Sequence, residues 1–301
     1  MSADNALVVA LDVGGTSVKA GLVDRRGSLA GEPRQYDACS DRDRETILER
    51  FASIVADQLA GAAAMGRPVA GIGVGMPGPF DYAAGVSLIR GLSKYEAIYG
   101  INLAEEWRQR LQLPANLPIR FVNDASAFAL GEALYGAGRG QERVMAITLG
   151  TGCGAAFLVG GRLVEDGHGV PPGGAVYHLP FEGGMIDEWI SRRGILRLWR
   201  EMAPEGTHGF DVKEIAAAAR AGDAKAGALW DRWGNLLAAA LGPVAEAFRP
   251  GALVLGGQIA RSLDLFGESL RERVAAAGGQ VVGASDQHPA LRGAASLIWG
   301  A

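Results

Sequence analysis

LVVALDVGGTSVKAGLVD (residues 7–24) and VMAITLGTGCGAAFLVGGRLVE (residues 144–165) decide how this chain is read. In each, an apolar run ends in a Gly/Thr turn and a second β-like run follows. Residues 7–13 read as a buried strand and 17–24 as its antiparallel partner, joined by Gly14, Gly15 and Thr16. In the second stretch the turn is Gly150-Thr151-Gly152, and Gly160-Gly161 closes a further hairpin. One such unit in each half points to a duplicated fold. Strands alternating with helical segments set the class as α/β.

Working outward, residues 44–65 place Ile47, Leu48, Phe51, Ile54, Val55 and Leu59 at helical spacing. VAGIGVGMPGPFD (69–81) reads as a strand that breaks into a Gly-Pro loop, and 102–112 as a helix. Pro114 and Pro118 bracket a connector, which is the expected domain boundary. IRFVND (119–124) reads as a strand and ASAFALGEALYGAG (125–138) as a helix. Residues 186–202, 224–248 and 262–277 read as helices, ALVLGGQIA (252–260) as a strand running into a glycine pair, and the tail as a short helix. Each half is long enough for a core of its own, with a cleft between them as the natural ligand site.

Composition narrows the function. Lys+Arg 29 against Asp+Glu 33 leaves a net charge of −4, and no basic run is present, which argues against nucleic acid as a partner. Cys39 and Cys153 are the two cysteines, too few for a disulfide scaffold or an all-cysteine zinc site. The first residues carry Asp4 and Asp12 around a short apolar run instead of the basic start of a signal peptide. No apolar stretch reaches the ~18 residues of a membrane span. A cytoplasmic protein is expected. Glycine accounts for 45 of 301 residues, and these cluster at the ends of apolar runs.

Those clusters carry the chemistry. DVGGT (12–16) is neither a dinucleotide fingerprint nor a P-loop, since no helix follows a G-x-G-x-x-G and no G-K-[ST] is present. Without Cβ atoms at Gly14 and Gly15, a phosphate can approach the backbone N–H groups. Thr16 adds a hydroxyl, and Asp12 at the strand end is a candidate for holding Mg²⁺ through water. Gly150, Thr151, Gly152 and Gly154 repeat the device. Two such turns facing each other would grip a polyphosphate; each alone reads equally as an ordinary hairpin. Asn123-Asp124 closes a strand and opens a helix. An Asp there is either an N-cap or the carboxylate that takes the proton from an attacking hydroxyl in phosphoryl transfer. Gly256-Gly257 reads as a strand-to-helix turn.

DVGGTSVKAGLVD (12–24), GVGMPGPFD (73–81), NDASAFALGEALYGAGRG (123–140), LGTGCGAAFLVGGRLV (149–164) and LVLGGQIA (253–260) together resemble the ROK family of sugar kinases and repressors. The resemblance runs from about residue 7 to the end. It implies an α/β, actin-like ATPase (hexokinase-type) duplicated fold with two domains around a cleft. The tail would fold back, giving an N-terminal domain of 1–117 plus 289–301 and a C-terminal domain of 118–288. ATP phosphates would bind the two turns with Lys19; Gly256, Gly257 and Gln258 would lie near the nucleoside. Asp124 would be the general base, and Pro77, Gly78 and Asn123 would line the sugar pocket. The resemblance also implies a homodimer.

One region departs from the family. Many members carry Glu-x-Gly-His and then a cysteine-rich loop for structural zinc. Here the segment reads GGAVYHLPFEGGMIDEWISRRGI: His178 remains, while Ala175 stands at the glutamate position and Tyr177 at the glycine position. No cysteine follows Cys153, so no structural zinc is expected. His178 would hydrogen-bond a sugar hydroxyl, or it is a plain loop histidine. Asp187 stands where a sugar-binding glutamate is usual, and Met185 where a zinc cysteine is usual. Without the glutamate, a different hydroxyl pattern from that of glucose becomes plausible. GLSKYEAIYGINLAEEW (91–107) is a long loop region whose Lys94, Tyr95 and Tyr99 read as a substrate wall or as solvated loop.

The bland readings are Trp189, Trp199, Trp230 and Trp233 as core anchors, Cys153 as a small core residue, and DRDRE (41–45) as a solvated helix start. His168, His208 and His288 show no ligand spacing. The leading function is an ATP-dependent, glucokinase-like sugar kinase. The alternatives are a polyphosphate-dependent sugar kinase, a non-catalytic sugar- and nucleotide-binding homologue, and a sugar-responsive regulator. The last needs an N-terminal DNA-binding module, for which a first strand at residue 7 leaves no room.

Overall fold

The structure, a computed structural model, describes residues 5–203, 209–285 and 287–300; His208 lies outside them. The chain divides into two compact units, one of residues 1–135 and 286–301, the other of Gly136–Ser285.

In the first unit, β1 (Leu7–Val13), β2 (Ser17–Asp24), β3 (Arg34–Asp37), α1 (Arg44–Ala64) and β4 (Val69–Met76) follow in order. A two-residue hairpin, β5 (Phe80–Asp81) with β6 (Val86–Ser87), then leads to α2 (Leu103–Leu111), β7 (Ile119–Asn123) and α3 (Asp124–Tyr135). The sheet order is β3-β2-β1-β4-β7. β1 is antiparallel to β2 and parallel to β4, which is parallel to β7.

The period of two along β1 assigns its faces. Leu7, Val9, Leu11 and Val13 join the core under α1 and α2, with Phe51, Trp107 and Phe121. Val8 and Ala10 pack on the other face. Asp12 is next in that second series and is the one residue of β1 that is not fully buried.

The second unit runs β8 (Arg143–Leu149), β9 (Cys153–Val159), β10 (Arg162–Val164) and a hairpin of β11 (Pro180–Phe181) with β12 (Gly184–Met185). Helices α4 (Ile186–Trp189), α5 (Arg192–Met202), α6 (Val212–Arg220) and α7 (Ala224–Phe248) follow. β13 (Ala252–Gly256), α8 (Leu263–Phe266), α9 (Glu268–Ala276) and β14 (Gln280–Gly283) complete it. Its sheet, β10-β9-β8-β13-β14, repeats the first in order and in strand direction. Trp199, Trp230 and Trp233 are buried in its core with Phe266 and Phe248, as anchors. Gly160 and Gly161 take positive φ at the β9–β10 turn, as that hairpin requires.

The chain then returns to the first unit as α10 (Pro289–Trp299), which packs on α3 and supplies Leu291 and Ala295 to the face that holds Val8 and Ala10. The crossing is backbone on backbone. A Cβ at Gly131 would lie 1.8 Å from the Pro289 carbonyl oxygen, and one at Gly293 1.8 Å from that of Ala127.

The boundary expected between residues 117 and 118 is corrected. β7 extends the first sheet in parallel register with β4, Ile72 opposite Ile119 through Met76 opposite Asn123, and α3 follows it. Both therefore belong to the first unit, and the division falls after Tyr135. The helix expected over 186–202 is two, α4 and α5, separated at Ile190 and Ser191; that over 262–277 is also two, α8 and α9. β3, β14 and α6 were not legible in the sequence.

Candidate active site

The first unit gathers Asp12, Gly14, Gly15, Thr16, Lys19, Pro77, Gly78, Asn123 and Asp124 at the carboxyl ends of β1, β4 and β7. Parallel pairing does this. Met76 sits opposite Asn123, so Pro77-Gly78 and Asn123-Asp124 leave the sheet side by side. Asp12 sits opposite Lys19 across β1 and β2.

The glycine turn is closed by the Gly14 N–H donating to the Ser17 carbonyl at 2.9 Å. The Tyr95 hydroxyl donates to the Gly14 carbonyl at 2.7 Å, and the Ser40 hydroxyl donates to that of Gly15. The carbonyls are thus engaged from outside the turn, while the Gly15 and Thr16 N–H groups donate to nothing among the described residues. Two orphan donors on a part-exposed turn are open to the oxygens of an anion.

Two carboxylates flank it. Burial pushes the Asp12 carboxyl up to about 6; Lys19 opposes the rise and Asp124 adds to it. No hydrogen bond reaches the Asp12 carboxylate among the described residues. Burial also raises Asp124, against the Ala125 N–H, which donates to its Oδ1 at 3.0 Å, and against the charge of Lys94. Asn123 Oδ1 accepts from the same Ala125 N–H at 3.0 Å, so Asn123 serves as the helix cap beside Asp124. Asn123 Nδ2 donates to the Tyr82 hydroxyl at 3.2 Å, which in turn donates to the Met76 carbonyl at 3.2 Å.

The residues fit a magnesium ion. A part-buried carboxylate without a hydrogen-bond donor, beside two orphan N–H groups, is the kind of oxygen ligand that Mg²⁺ uses, with phosphates and water supplying the rest. Asp12 would hold it, and the ion would neutralise phosphate charge there. Among the described residues no group of three or more His, Cys, Asp or Glu is arranged around a common metal position.

In the second unit the Gly150 N–H donates to the Gly152 carbonyl at 3.0 Å, and Thr151 and Gly152 are exposed. The Cys153 N–H donates to Asp187 Oδ1 at 2.6 Å, and Arg193 Nη2 donates to Asp187 Oδ2. The Arg192 N–H donates to the Gly150 carbonyl at 2.9 Å, so the start of α5 is tied to the same turn. The Asp187 N–H donates to the Tyr177 carbonyl at 3.0 Å, which brings the segment of His178 to this turn. His178 is exposed, its ring against Tyr177.

Gly257, at φ 86°, packs so closely that a Cβ would meet the Leu149 carbonyl oxygen at 2.2 Å. This holds Gly256, Gly257 and the exposed Gln258 against the base of the turn. Gly154 lies opposite Thr148 in the β8–β9 ladder. The Asp187 carboxylate, expected at the sugar, has both oxygens occupied by the turn and by Arg193. Sequence reasoning missed Arg193, Tyr82 and the anchoring of Tyr95; the first and the last sat in regions already singled out.

A model of the ROK family matches residues 8–298. The chain belongs to that family. Its ROK-family relatives include a glucokinase of Thermotoga maritima, 28% identical over 290 residues that cover 89% of this chain and 86% of that protein. A ROK family glucokinase from Streptomyces griseus, solved with glucose and AMPPNP, superposes with a TM-score of 0.75 at 26% identity, covering 98% of this chain and 100% of that one. An inorganic polyphosphate/ATP-glucomannokinase from Arthrobacter sp. strain KM superposes at 0.69 with 29% identity, covering 98% and 99%. The fold of this ROK chain is the actin-like ATPase fold, with its two sheets of one topology.

Proposed function

We propose that this ROK-family chain transfers the γ-phosphoryl group of ATP to a hydroxyl of a hexose or hexose derivative, with Asp124 as general base. It is a sugar kinase. The observation that carries the finer reading is the juxtaposition, in one unit, of a glycine cradle with two orphan N–H donors and two part-buried carboxylates. A group raised by burial is suited to accept a proton as the acceptor oxygen attacks.

In this reading Gly14, Gly15, Thr16 and Lys19 hold phosphate in the first unit, and Gly150, Thr151, Gly152 and Gly154 in the second. Gly256, Gly257 and Gln258 lie toward the nucleoside, and Asp12 is the ligand of Mg²⁺. Pro77, Gly78 and Asn123 border the sugar, with the Asn123 amide fixed by Tyr82 and by Ala125. His178 offers a hydrogen bond to a sugar hydroxyl. Asp187 positions the second turn instead of the sugar. With Ala175 in place of a carboxylate, the acceptor need not share every hydroxyl of glucose.

The test is ADP release from Mg·ATP over glucose, mannose, fructose, allose, N-acetylglucosamine, N-acetylmannosamine and a β-glucoside, with Asp124→Ala as the blank. One sugar that raises ADP release well above the blank supports the reading. Silence across the panel, with ATP still bound, overturns it. A polyphosphate donor is the second reading, favoured by the likeness to the glucomannokinase; replacing ATP with inorganic polyphosphate in the same assay decides it.

A further inference from the structure

We propose that Lys94 is a catalytic residue of this transfer, its ammonium group meeting the oxygens of the phosphoryl group at the first glycine turn. The inference rests on the sugar-kinase reading above. Phosphoryl transfer needs positive charge on the oxygens of the moving group. The sequence has no P-loop lysine, and the cations that act on the two carboxylates of the first-unit site are Lys19, on Asp12, and Lys94, on Asp124. Lys19 is fixed on a strand opposite Asp12. Lys94 comes from the loop before α2 and lies over the turn: a Cβ placed on Gly15 would stand 3.3 Å from Lys94 Cδ.

The loop is built to hold it there. Ser93 and Tyr95 both take φ 54°, left-handed backbone on either side of Lys94. The Tyr95 N–H donates to the Ser40 carbonyl at 2.6 Å, and the Ser93 N–H to Glu96 Oε1 at 2.7 Å. The Tyr95 ring is fully buried and stacks on Phe51 at 5.5 Å, while its hydroxyl reaches the Gly14 carbonyl. The residue next to Lys94 is therefore bolted to the phosphate turn itself. Lys94 is half-buried and makes no ion pair within 4 Å among the described residues. Left-handed strain at two non-glycine residues, flanking a cation that lies over the glycine turn and acts on Asp124, is a local cost that a binding role explains.

In the step, a bond forms between the acceptor hydroxyl oxygen and the γ-phosphorus as the proton passes to the Asp124 carboxylate. The bond from that phosphorus to the β-phosphate oxygen breaks, and its electron pair leaves with ADP. Lys94 keeps its proton throughout and binds the equatorial oxygens.

The experiment compares wild type, Lys94→Gln and Lys94→Arg, with kcat, KM, the Kd of ADP and of a non-hydrolysable ATP analogue, and the thermal midpoint. Lys94→Gln is expected to lose about 100-fold in kcat, at pH 7 and pH 9 alike. It should keep the sugar KM, the ADP Kd and the midpoint, and bind the ATP analogue more weakly. Lys94→Arg should recover at least tenfold. A Lys94→Gln kcat within threefold of wild type overturns the inference. So does a loss that disappears at pH 9, because Lys94 would then act only by holding Asp124 ionised. So does a lowered midpoint with no recovery in Lys94→Arg, because the role would then be structural. A wild type that phosphorylates no sugar overturns the sugar-kinase reading itself, and is seen without any variant.

Discussion

The turn after β1 and the turn after β8 occupy the same place in two sheets of the same order, and their carboxylates live differently. Beside the first, Asp12 takes no hydrogen bond among the described residues and its carboxyl is pushed up to about 6. Beside the second, Asp187 accepts from the Cys153 N–H at 2.6 Å and from Arg193. One topology has thus been given an unbonded carboxylate at one turn and a braced one at the other. A carboxylate left short of partners is available to a cation or a proton; one that is fully bonded can only hold backbone in place. Duplication fixes where the turns are, and the side chains around them decide what each does.

The largest effect expected from this contrast is at Asp124. Asp124→Asn should lower kcat by about 10²–10⁴ while the Kd of ATP stays within a few-fold, read by steady-state kinetics and calorimetry. A variant with near wild-type turnover would remove the proposed general base from the comparison.

Asp187→Ala should act on the other side of it. It leaves the Cys153 N–H without an acceptor, a cost of about 1–3 kcal/mol, so the thermal midpoint should drop by several degrees. The donor KM should rise more than kcat falls. If stability is unchanged and the sugar KM rises instead, Asp187 belongs to the sugar after all.

Asp12 gives a pH test with a defined sign. Its folded value lies above the ordinary carboxylate value, so the folded protein binds this proton more tightly than the unfolded chain. The protein therefore loses stability from this group as pH rises from about 4 to about 6. Asp12→Asn should be more stable than wild type above pH 6, with the difference gone below about pH 4, as read by denaturant midpoints. If Asp12 is the Mg²⁺ ligand proposed above, kcat/KM of the wild type for the nucleotide should fall as pH drops through about 6, where a protonated Asp12 would no longer hold the ion.

The smallest effect concerns the braced turn's thiol. Cys153 is 5% exposed, and burial with Asp187 nearby pushes its thiol up to about 12. A disulfide reagent at pH 8 should label one thiol per chain, the part-exposed Cys39. Two equivalents on the native protein would show that the second turn opens.

Much of this was legible because it is local. A buried strand of seven residues with one acid at its end, a Gly-Gly-Thr turn and a partner strand leave few alternatives, and the two copies announced the repeat. Asn123-Asp124 was legible as a strand-to-helix junction, though which residue caps the helix was not; both side chains reach the Ala125 N–H, and only coordinates show the sharing. β3 and β14 escaped because they are short and sit at sheet edges, with exposed residues that dilute the apolar signal. The boundary was misplaced for a related reason. Prolines mark a bend in the chain, but sheet membership is a long-range pairing that no local composition encodes.

By itself, then, the sequence determined the α/β class, the duplicated strand–turn–strand units, the glycine cradles and the acid that follows Asn123. Periodicity and turn chemistry act over a few residues, and they are written in order along the chain. Only the tertiary structure decided that β7 and α3 belong with the first sheet, that α10 returns to cross α3 at Gly131 and Gly293, and that Asp12 and Asp124 share a corner with Lys94. It also decided that Asp187 is spent on Arg193 and the second turn. Those facts depend on which distant segments exclude water from each other. A carboxylate's character, poised or braced, is set by neighbours brought from elsewhere in the chain.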